Sequence, residues 1–184
     1  MPRKARSVAE LSAWQRFEIK YLVDAATAAR VEAFCRQNLA LDHHCKPYPD
    51  HRYPINSIYL DSPHYSLARS VIERRTDRFK LRARTYCETH ESTFGRPFFF
   101  EIKRKRDGLI HKKRILLTGK LADEVLWHNR YPSNAEGHDR HEDLTALSEF
   151  FQLRQQIGAV PALAVHYRRL AFETQFGQRV RISF

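Results

Sequence analysis

The amino-acid sequence predicts an α+β fold, in which an antiparallel β-barrel or tunnel has a charged lumen and flanking helices. The first observation is an alternation of charged and apolar residues, clearest over residues 78–114. In an extended strand, this period of two places charged side chains on one face and apolar side chains on the other. Segments with helical apolar spacing separate such strands. The chain has 184 residues and 42% hydrophobic content, enough for one domain with a core.

The first predicted elements are a strand and a helix. Residues 16–23 alternate charged and apolar side chains, which predicts a strand. Asp24 is the expected N-cap of a helix over about 25–40. The helix should cover a sheet face with an apolar stripe, namely Val31, Phe34 and Cys35.

Residues 42–54 combine three prolines with polar side chains and predict a loop. His43, His44 and Cys45 within it are metal-ligand types. Adjacent residues without a second ligand pair do not make a tetrahedral site, so a solvated loop is the favoured interpretation.

Residues 55–61 predict the second strand, and a short helix is expected over about 64–74. Three basic strands then follow within residues 78–114. A polar loop over 88–97 joins the first two, and Asp107-Gly108 is a typical hairpin turn between the second and third. These three strands should therefore be antiparallel neighbours.

The last part of the chain predicts two helices, over about 119–127 and 144–157, separated by a polar surface loop at 128–143. Gly158 is expected to end the second helix. Two or three strands should close the chain, over residues 159–169, 170–176 and 178–184, with a turn at Gly177.

The net charge of +11 favours a polyanionic partner: nucleic acid, an acidic membrane surface or a phosphate-rich small molecule. The three cysteines, Cys35, Cys45 and Cys87, show neither a disulfide framework nor zinc spacing. We find no apolar signal segment and no run of about 18 apolar residues. The expected setting is therefore the cytoplasm.

Alternating charges on a single strand are ordinarily explained by a solvated sheet face. Here the pattern recurs in at least four distant segments, with a large excess of basic residues. A barrel with inward charged faces explains the recurrence if helices cover its apolar exterior. Its lumen would need anionic compensation from a polyphosphate-like ligand, or from its own glutamates and water.

Classical phosphate-binding loops and hydrolase motifs are absent from the sequence. We find no GxxxxGK[ST], GxGxxG, GxSxG or HExxH motif, and only six glycines in the whole chain. Covalent nucleophilic hydrolysis therefore has no support.

Seven segments in order carry a family resemblance, namely RFEIKY at 16–21, NSIYLD at 56–61, KLRARTY at 80–86, FEIK at 100–103, KKR at 112–114, YRRLAF at 167–172 and RVRIS at 179–183. In these, the chain resembles the VTC-type polyphosphate polymerase domain, a branch of the triphosphate tunnel metalloenzyme (CYTH-like) superfamily. The resemblance implies transfer of the γ-phosphoryl group of ATP to a polyphosphate chain, with Mn²⁺ or Mg²⁺ as cofactor.

The resemblance also implies a phosphate-binding set, of which the first five members are also the expected catalytic residues: Lys20, Arg82, Arg84, Lys103, Lys112, Arg169 and Arg181. Strand parity independently places those first five on charged faces. For the predicted strand that ends at Arg169, parity does not decide which side chains face inward, because His166 and Arg168 could do so in place of Arg169.

Glu18 and Glu101 share faces with Lys20 and Lys103 and are candidate metal ligands, because Mg²⁺ and Mn²⁺ prefer oxygen donors. An alternative is that they are salt-bridge partners of neighbouring cations. In the family, an acidic residue and a further glutamate-bearing strand follow the RVRIS segment. We therefore expect residues 16–184 to form a tunnel domain short of that strand, with residues 1–15 as a flexible arm.

Polyphosphate synthesis is thus the leading hypothesis. Hydrolysis of triphosphate, or binding of polyphosphate or an inositol phosphate without catalysis, are the alternatives. Nucleic acid is a less favoured partner, because no predicted helix gathers the basic residues.

Overall fold

A computed structural model describes residues 18–86, 96–106, 109–132, 141–176 and 180–184. This part contains four α-helices, namely α1 (Ala25–Asn38), α2 (Ser66–Ile72), α3 (Gly119–Leu126) and α4 (His141–Gln156). It contains eight β-strands, namely β1 (Ala40–Leu41), β2 (Tyr53–Asp61), β3 (Arg78–Thr85), β4 (Phe98–Arg106), β5 (Leu109–Leu117), β6 (Val160–Arg169), β7 (Ala171–Glu173) and β8 (Arg181–Ser183). The mixed α+β class is confirmed.

The larger of two antiparallel sheets has five strands in the order β5-β4-β3-β2-β6. Strands β3, β4 and β5 are consecutive neighbours, as predicted. Arg106 pairs with Leu109, as a two-residue turn requires, although Asp107 and Gly108 lie outside the described residues. Strand β6 returns from the end of the chain to pair with β2.

The main core lies between one face of this sheet and helices α3 and α4. Phe100 and Leu81 project from the sheet and are fully buried. The Phe100 ring meets Phe150 of α4 edge-on, with centroids 5.4 Å apart. Val125 of α3 joins the same cluster. The prediction that helices cover the apolar sheet face is confirmed here.

Two buried polar residues fix the helix ends near this core. The Asp61 carboxylate accepts hydrogen bonds from the backbone N–H groups of Leu67 and Ala68, at 2.9 and 3.0 Å, and so caps α2. The Arg154 guanidinium, only 2% exposed, donates to the carbonyls of Ala159, Leu126 and Val125. Burial lowers the pKa of Arg154 to about 10. Arg154 thereby ties α4 to the end of α3.

Strands β1, β7 and β8 form a separate three-stranded sheet that packs with α1. Asp24 accepts a hydrogen bond from Thr27 N at 2.7 Å, which confirms the predicted N-cap. The predicted apolar stripe is only partly right: Cys35 is buried, but Val31 and Phe34 are 38% and 60% exposed. The strands of the small sheet are only two or three residues long, and among the three predicted stripe residues of α1 only Cys35 is buried against the core.

The strand predicted at residues 16–23 is not formed over its described part. Residues 18–24 have no strand pairing, and Ile19 and Leu22 are exposed. Alternation of charged and apolar residues gives an extended segment two different faces. A strand also needs backbone hydrogen bonds, and only the edge of a neighbouring strand can supply them. Within the described residues, the two sheets accordingly form no closed barrel.

The remaining boundaries differ by a few residues from prediction. Helix α4 begins at His141 and ends before Gly158, whose φ of 61° is the left-handed conformation expected at a helix end. The last two predicted strands shorten to β7 and β8. Several predicted features lie outside the described residues, namely the arm at 1–15, most of the 88–97 loop, Cys87 and Gly177. Among the described helices, none has the length and apolar character needed to span a bilayer.

Candidate functional site

The face of the five-stranded sheet opposite the helices carries most of the predicted site; we call it the basic face. Register alignment places Lys80, Lys103 and Lys112 side by side on β3, β4 and β5. Two positions along β3, Arg82 lies beside Glu101, which in turn pairs with Arg114. The strand periodicity of the sequence thus produces rows of cations across three strands.

A buried carboxylate stands at the centre of the basic face. Glu101 is 1% exposed, with Oε2 2.5 Å from Arg82 Nε and Oε1 2.6 Å from Lys112 Nζ. Burial raises the pKa of Glu101, but its close contacts with the charged groups of Lys112 and Arg82 together outweigh burial, and the net pKa is below the ordinary value. The Glu101 carboxylate is thus buried between two cations, of which the Arg82 side chain is 17% exposed and the Lys112 side chain is 44% exposed.

Arg82 and Arg84 are positioned by hydroxyl groups of β2 as well. Arg82 Nη1 donates to the Tyr59 hydroxyl at 3.4 Å, and Arg84 Nε donates to Ser57 Oγ at 2.9 Å. Burial opposes the charge of Arg82, yet Glu101 and Tyr59 hold its pKa above the ordinary value. Both guanidinium groups are therefore held in place by side chains of the protein.

Register also decides the question that parity left open on the last long strand. Arg169 pairs with Tyr53 of β2, so it shares the face of Ser57 and Tyr59, whereas Arg168 points to the other face. Its Nη2 atom donates to the Tyr167 hydroxyl at 2.7 Å. Burial is the largest influence and lowers the pKa of Arg169, but the Tyr53 hydrogen bond and the charge interactions with Tyr167, Tyr53 and Tyr86 together outweigh it, so the net shift is upward.

Arg181 reaches this face from the small sheet. Its Nη2 atom lies 3.3 Å from the Tyr53 hydroxyl and 2.6 Å from Asp42 Oδ2. Asp42 is buried and also accepts a hydrogen bond from His44 N at 2.9 Å. The Tyr53 hydroxyl thus stands between Arg169 of one sheet and Arg181 of the other.

Lys20 lies apart from the other predicted phosphate-binding residues and is largely exposed. It contacts Glu18 at 3.3 Å, and the same carboxylate lies 3.5 Å from Lys103 Nζ. Lys103 is the first cause of the lowered pKa of Glu18. The ion pair between Glu18 and Lys103 therefore connects residues 18–24, which form no strand, to the basic face.

A comparison with protein families shows which family the chain belongs to. The sequence matches the family model of the VTC domain over residues 15–184. The chain belongs to the VTC domain family. The comparison with curated proteins returned no match. Membership of this family is consistent with a polyphosphate-related function.

Both predicted metal ligands of the VTC domain are ion-paired. Glu101 has a cation at each oxygen, so a metal ion could bind it only if Lys112 or Arg82 moved away. Glu18 is more than half exposed at its side chain and retains room for a further ligand. The oxygen chemistry of Glu18 fits Mg²⁺ or Mn²⁺, whereas the surroundings of Glu101 fit a counter-charge.

A separate metal-type cluster lies in the segment that we predicted to be a solvated loop. One ligand atom each from Asp42, His43 and His44 lies within 4.8 Å of the others. His43–Cys45 is a short 3-10 turn, and Cys45 is buried with its sulfur near the backbone of Ala171. Burial is the leading cause of the raised pKa of the Cys45 thiol. The cluster could hold a metal ion, but without Cys45.

Several residues of the site were missed by the sequence analysis. Tyr53, Ser57 and Tyr59 lie on one face of β2 with the buried Ile55 between the first two, and the polar Ser57 and Tyr59 at alternate positions could have marked this face. Asp42 gave no such signal, because its contact with Arg181 joins distant parts of the chain. The arrangement as a whole offers fixed cations on one surface, which is suited to bind a chain of phosphates.

Proposed function

We propose that this VTC domain binds the phosphates of ATP along the basic face and transfers the γ-phosphoryl group to a polyphosphate chain. The observation that carries the proposal is the buried Glu101 carboxylate, which lies between Arg82 and Lys112. Arg84 and Lys103 adjoin it on the same face. A surface that only needed solubility would not bury a carboxylate between cations.

Phosphoryl transfer suits this arrangement because it requires positioning and charge stabilisation more than covalent chemistry. Arginine forks bind phosphate oxygens in a bidentate way, and Arg82 and Arg84 are already oriented by β2 hydroxyls. When phosphates enter, their oxygens take the place of the Glu101 carboxylate at Arg82 and Lys112. Glu101 thus keeps the cations paired while the site is empty.

We propose further that the basic face is one wall of a tunnel formed by residues 16–184. Support comes from Arg181, which reaches the Tyr53 hydroxyl from the second sheet and so adds a cation from another direction. When a polyphosphate chain without a nucleoside occupies the wall, Arg169 and Arg181 would bind its phosphates at the Tyr53 end, and Lys20 would do so at the opposite end, beside Lys103. Polyphosphate, triphosphate or an inositol phosphate would all present the oxygens that these cations recognise.

A divalent cation, Mg²⁺ or Mn²⁺, would neutralise charge on the phosphates of the bound nucleotide. Glu18 is the residue that we propose as its protein ligand, since its side chain is half exposed beside Lys103. Glu101 remains a sequence-based candidate only if ligand binding releases it from Lys112 and Arg82. The chain's own contribution is to bind and orient the phosphates.

The test is to incubate the full chain with ATP and MnCl₂ and to follow polyphosphate length on gels. We expect chain growth, and we expect loss of at least tenfold in rate for Arg82→Ala with Arg84→Ala. The matched control is Arg104→Ala with Lys113→Ala, because these cations pair with Asp77 and Glu149 away from the basic face.

The other outcomes of this experiment have distinct meanings. Release of free phosphate without chain growth would identify a triphosphate hydrolase. Salt-dependent binding of short polyphosphate without turnover would identify a binding module. Absence of both binding and turnover would contradict the proposal, as would equal losses in the test and control variants. Competition by single-stranded or duplex DNA would point to a nucleic-acid partner.

A further inference from the structure

The basic face is chemically different at its two ends. At the end where β3 begins, it carries Lys80, Lys103 and Lys112. At the end where β3 finishes, aromatic rings cross the sheet. The rings of Tyr53 and Tyr86 have centroids 6.2 Å apart, and those of Tyr86 and Phe99 are 5.8 Å apart. The face therefore runs from a lysine end to an aromatic end.

Tyr86 is the ring of this group that is available to a ligand. Tyr53 is 5% exposed, whereas Tyr86 is 37% exposed and follows Arg82 and Arg84 at the same strand parity. Phe99 supports it from β4, and the Arg114 guanidinium covers Phe99 at 5.1 Å. An aromatic ring that is held by neighbouring rings and is partly exposed is suited to stack on a planar group.

Resting on the function proposed above, we propose that Tyr86 stacks on the nucleobase of a nucleoside triphosphate whose phosphates extend toward Lys80. At 3.3 Å per residue, Tyr86 and Lys80 are about 20 Å apart along β3, which gives room for base, ribose and three phosphates in line. Arg84 and Arg82 lie between the two ends. The nucleotide thus has one orientation on the face, and its γ-phosphate lies toward the lysines.

Stacking alone recognises the flat face of any base, so the site should favour nucleotides without choosing strongly among bases. It should also distinguish ATP from inorganic triphosphate, which has no base. The selectivity comes from an aromatic residue that contributes no charge. Removal of the Tyr86 ring should therefore leave phosphate binding unchanged.

The experiment measures dissociation constants of the full chain for ATP, CTP and ribose 5-triphosphate by titration calorimetry with MgCl₂. Ribose 5-triphosphate has the phosphate charge of ATP but no base. Tyr86→Leu should weaken ATP and CTP about tenfold and change ribose 5-triphosphate less than twofold. Tyr86→Phe should bind all three like the unchanged protein. Phe34→Leu, an exposed aromatic residue on α1, is the matched control.

Each result separates this inference from the proposed function. If all three ligands bind but Tyr86→Leu weakens them equally or not at all, the stacking inference is wrong and the phosphate site stands. If ribose 5-triphosphate and ATP both fail to bind the unchanged protein, both proposals fail. Retained binding of ribose 5-triphosphate by Tyr86→Leu shows that the variant is folded.

Discussion

Glu101 and Arg82 share a hydrogen bond of 2.5 Å between neighbouring strands, and the carboxylate is almost completely buried. Its other oxygen lies against Lys112. Such a group is costly to break, because removing one partner leaves an uncompensated buried charge. Glu101 therefore stabilises the fold, and under the proposed function it would compete with phosphate for Arg82 and Lys112.

Glu101→Gln is expected to reduce the free energy of unfolding by about 3 kcal/mol at pH 7. The folded-state pKa of Glu101 is below its ordinary value of 4.5, so its contribution is complete above that pH and is lost as pH falls through the lowered value. Urea unfolding at several pH values should show the variant and the unchanged protein converging in acid. A constant difference from pH 7 to pH 3 would contradict this.

The same variant should bind inorganic triphosphate about fivefold more tightly at low salt, since it removes a competing negative charge. A metal-ligand role for Glu101 predicts the opposite, namely weaker binding that appears only when Mn²⁺ is present. Titrations with and without MnCl₂ distinguish the two. Glu18→Gln should show the metal-dependent loss.

Asp42→Asn should weaken triphosphate binding about threefold to tenfold, because Asp42 holds Arg181 in place at 2.6 Å. Asp50→Asn is the matched control, since Asp50 pairs with Arg168. A loss in both variants would indicate a general electrostatic effect. Arg181→Ala should leave little further effect for Asp42→Asn in the double variant.

Arg169→Ala should weaken polyphosphate binding at least tenfold, whereas Arg168→Ala should change it less than twofold. The two residues are neighbours of equal charge, but the register with β2 turns them to opposite faces. Fluorescence anisotropy with labelled polyphosphate compares them directly. Equal losses would mean that net charge, and not position on the basic face, governs binding.

Arg154→Ala is expected to lower the free energy of unfolding by about 3 kcal/mol, because three buried carbonyl groups lose their donor. Gln152→Ala on the exposed side of α4 should have little effect. Chemical denaturation of both variants provides the measurement. A loss confined to Arg154→Ala, with triphosphate affinity kept, would confirm a structural role.

The sequence could predict the basic face because alternation and a hairpin turn are local signals. Arg82, Lys103 and Lys112 needed only strand parity to be placed on one face. The N-cap at Asp24 was equally local. Parity could not place Arg169, since a strand of mixed polarity has two possible faces until its partner is known.

Features that depend on distant contacts were beyond the sequence. The segment from residue 18 to 24 has the pattern of a strand but no pairing, and Phe34 has helical spacing but remains exposed. In each case, the element needs a partner surface that its own residues cannot specify. The contact of Asp42 with Arg181, and the burial of Arg154 beneath α3, likewise arise only when separate segments meet.

The pairing of β2 with β6 bears on the order in which the molecule folds. Strands β3, β4 and β5 join near neighbours in sequence, whereas Asn56 of β2 pairs with His166, 110 positions later. Closing so long a loop has a high entropic cost before it gains contacts, so β6 is expected to join the sheet late. Arg169 arrives with it. Phosphate binding by Arg82 and Arg169 together would therefore favour the final folding step, and polyphosphate would act as a folding ligand.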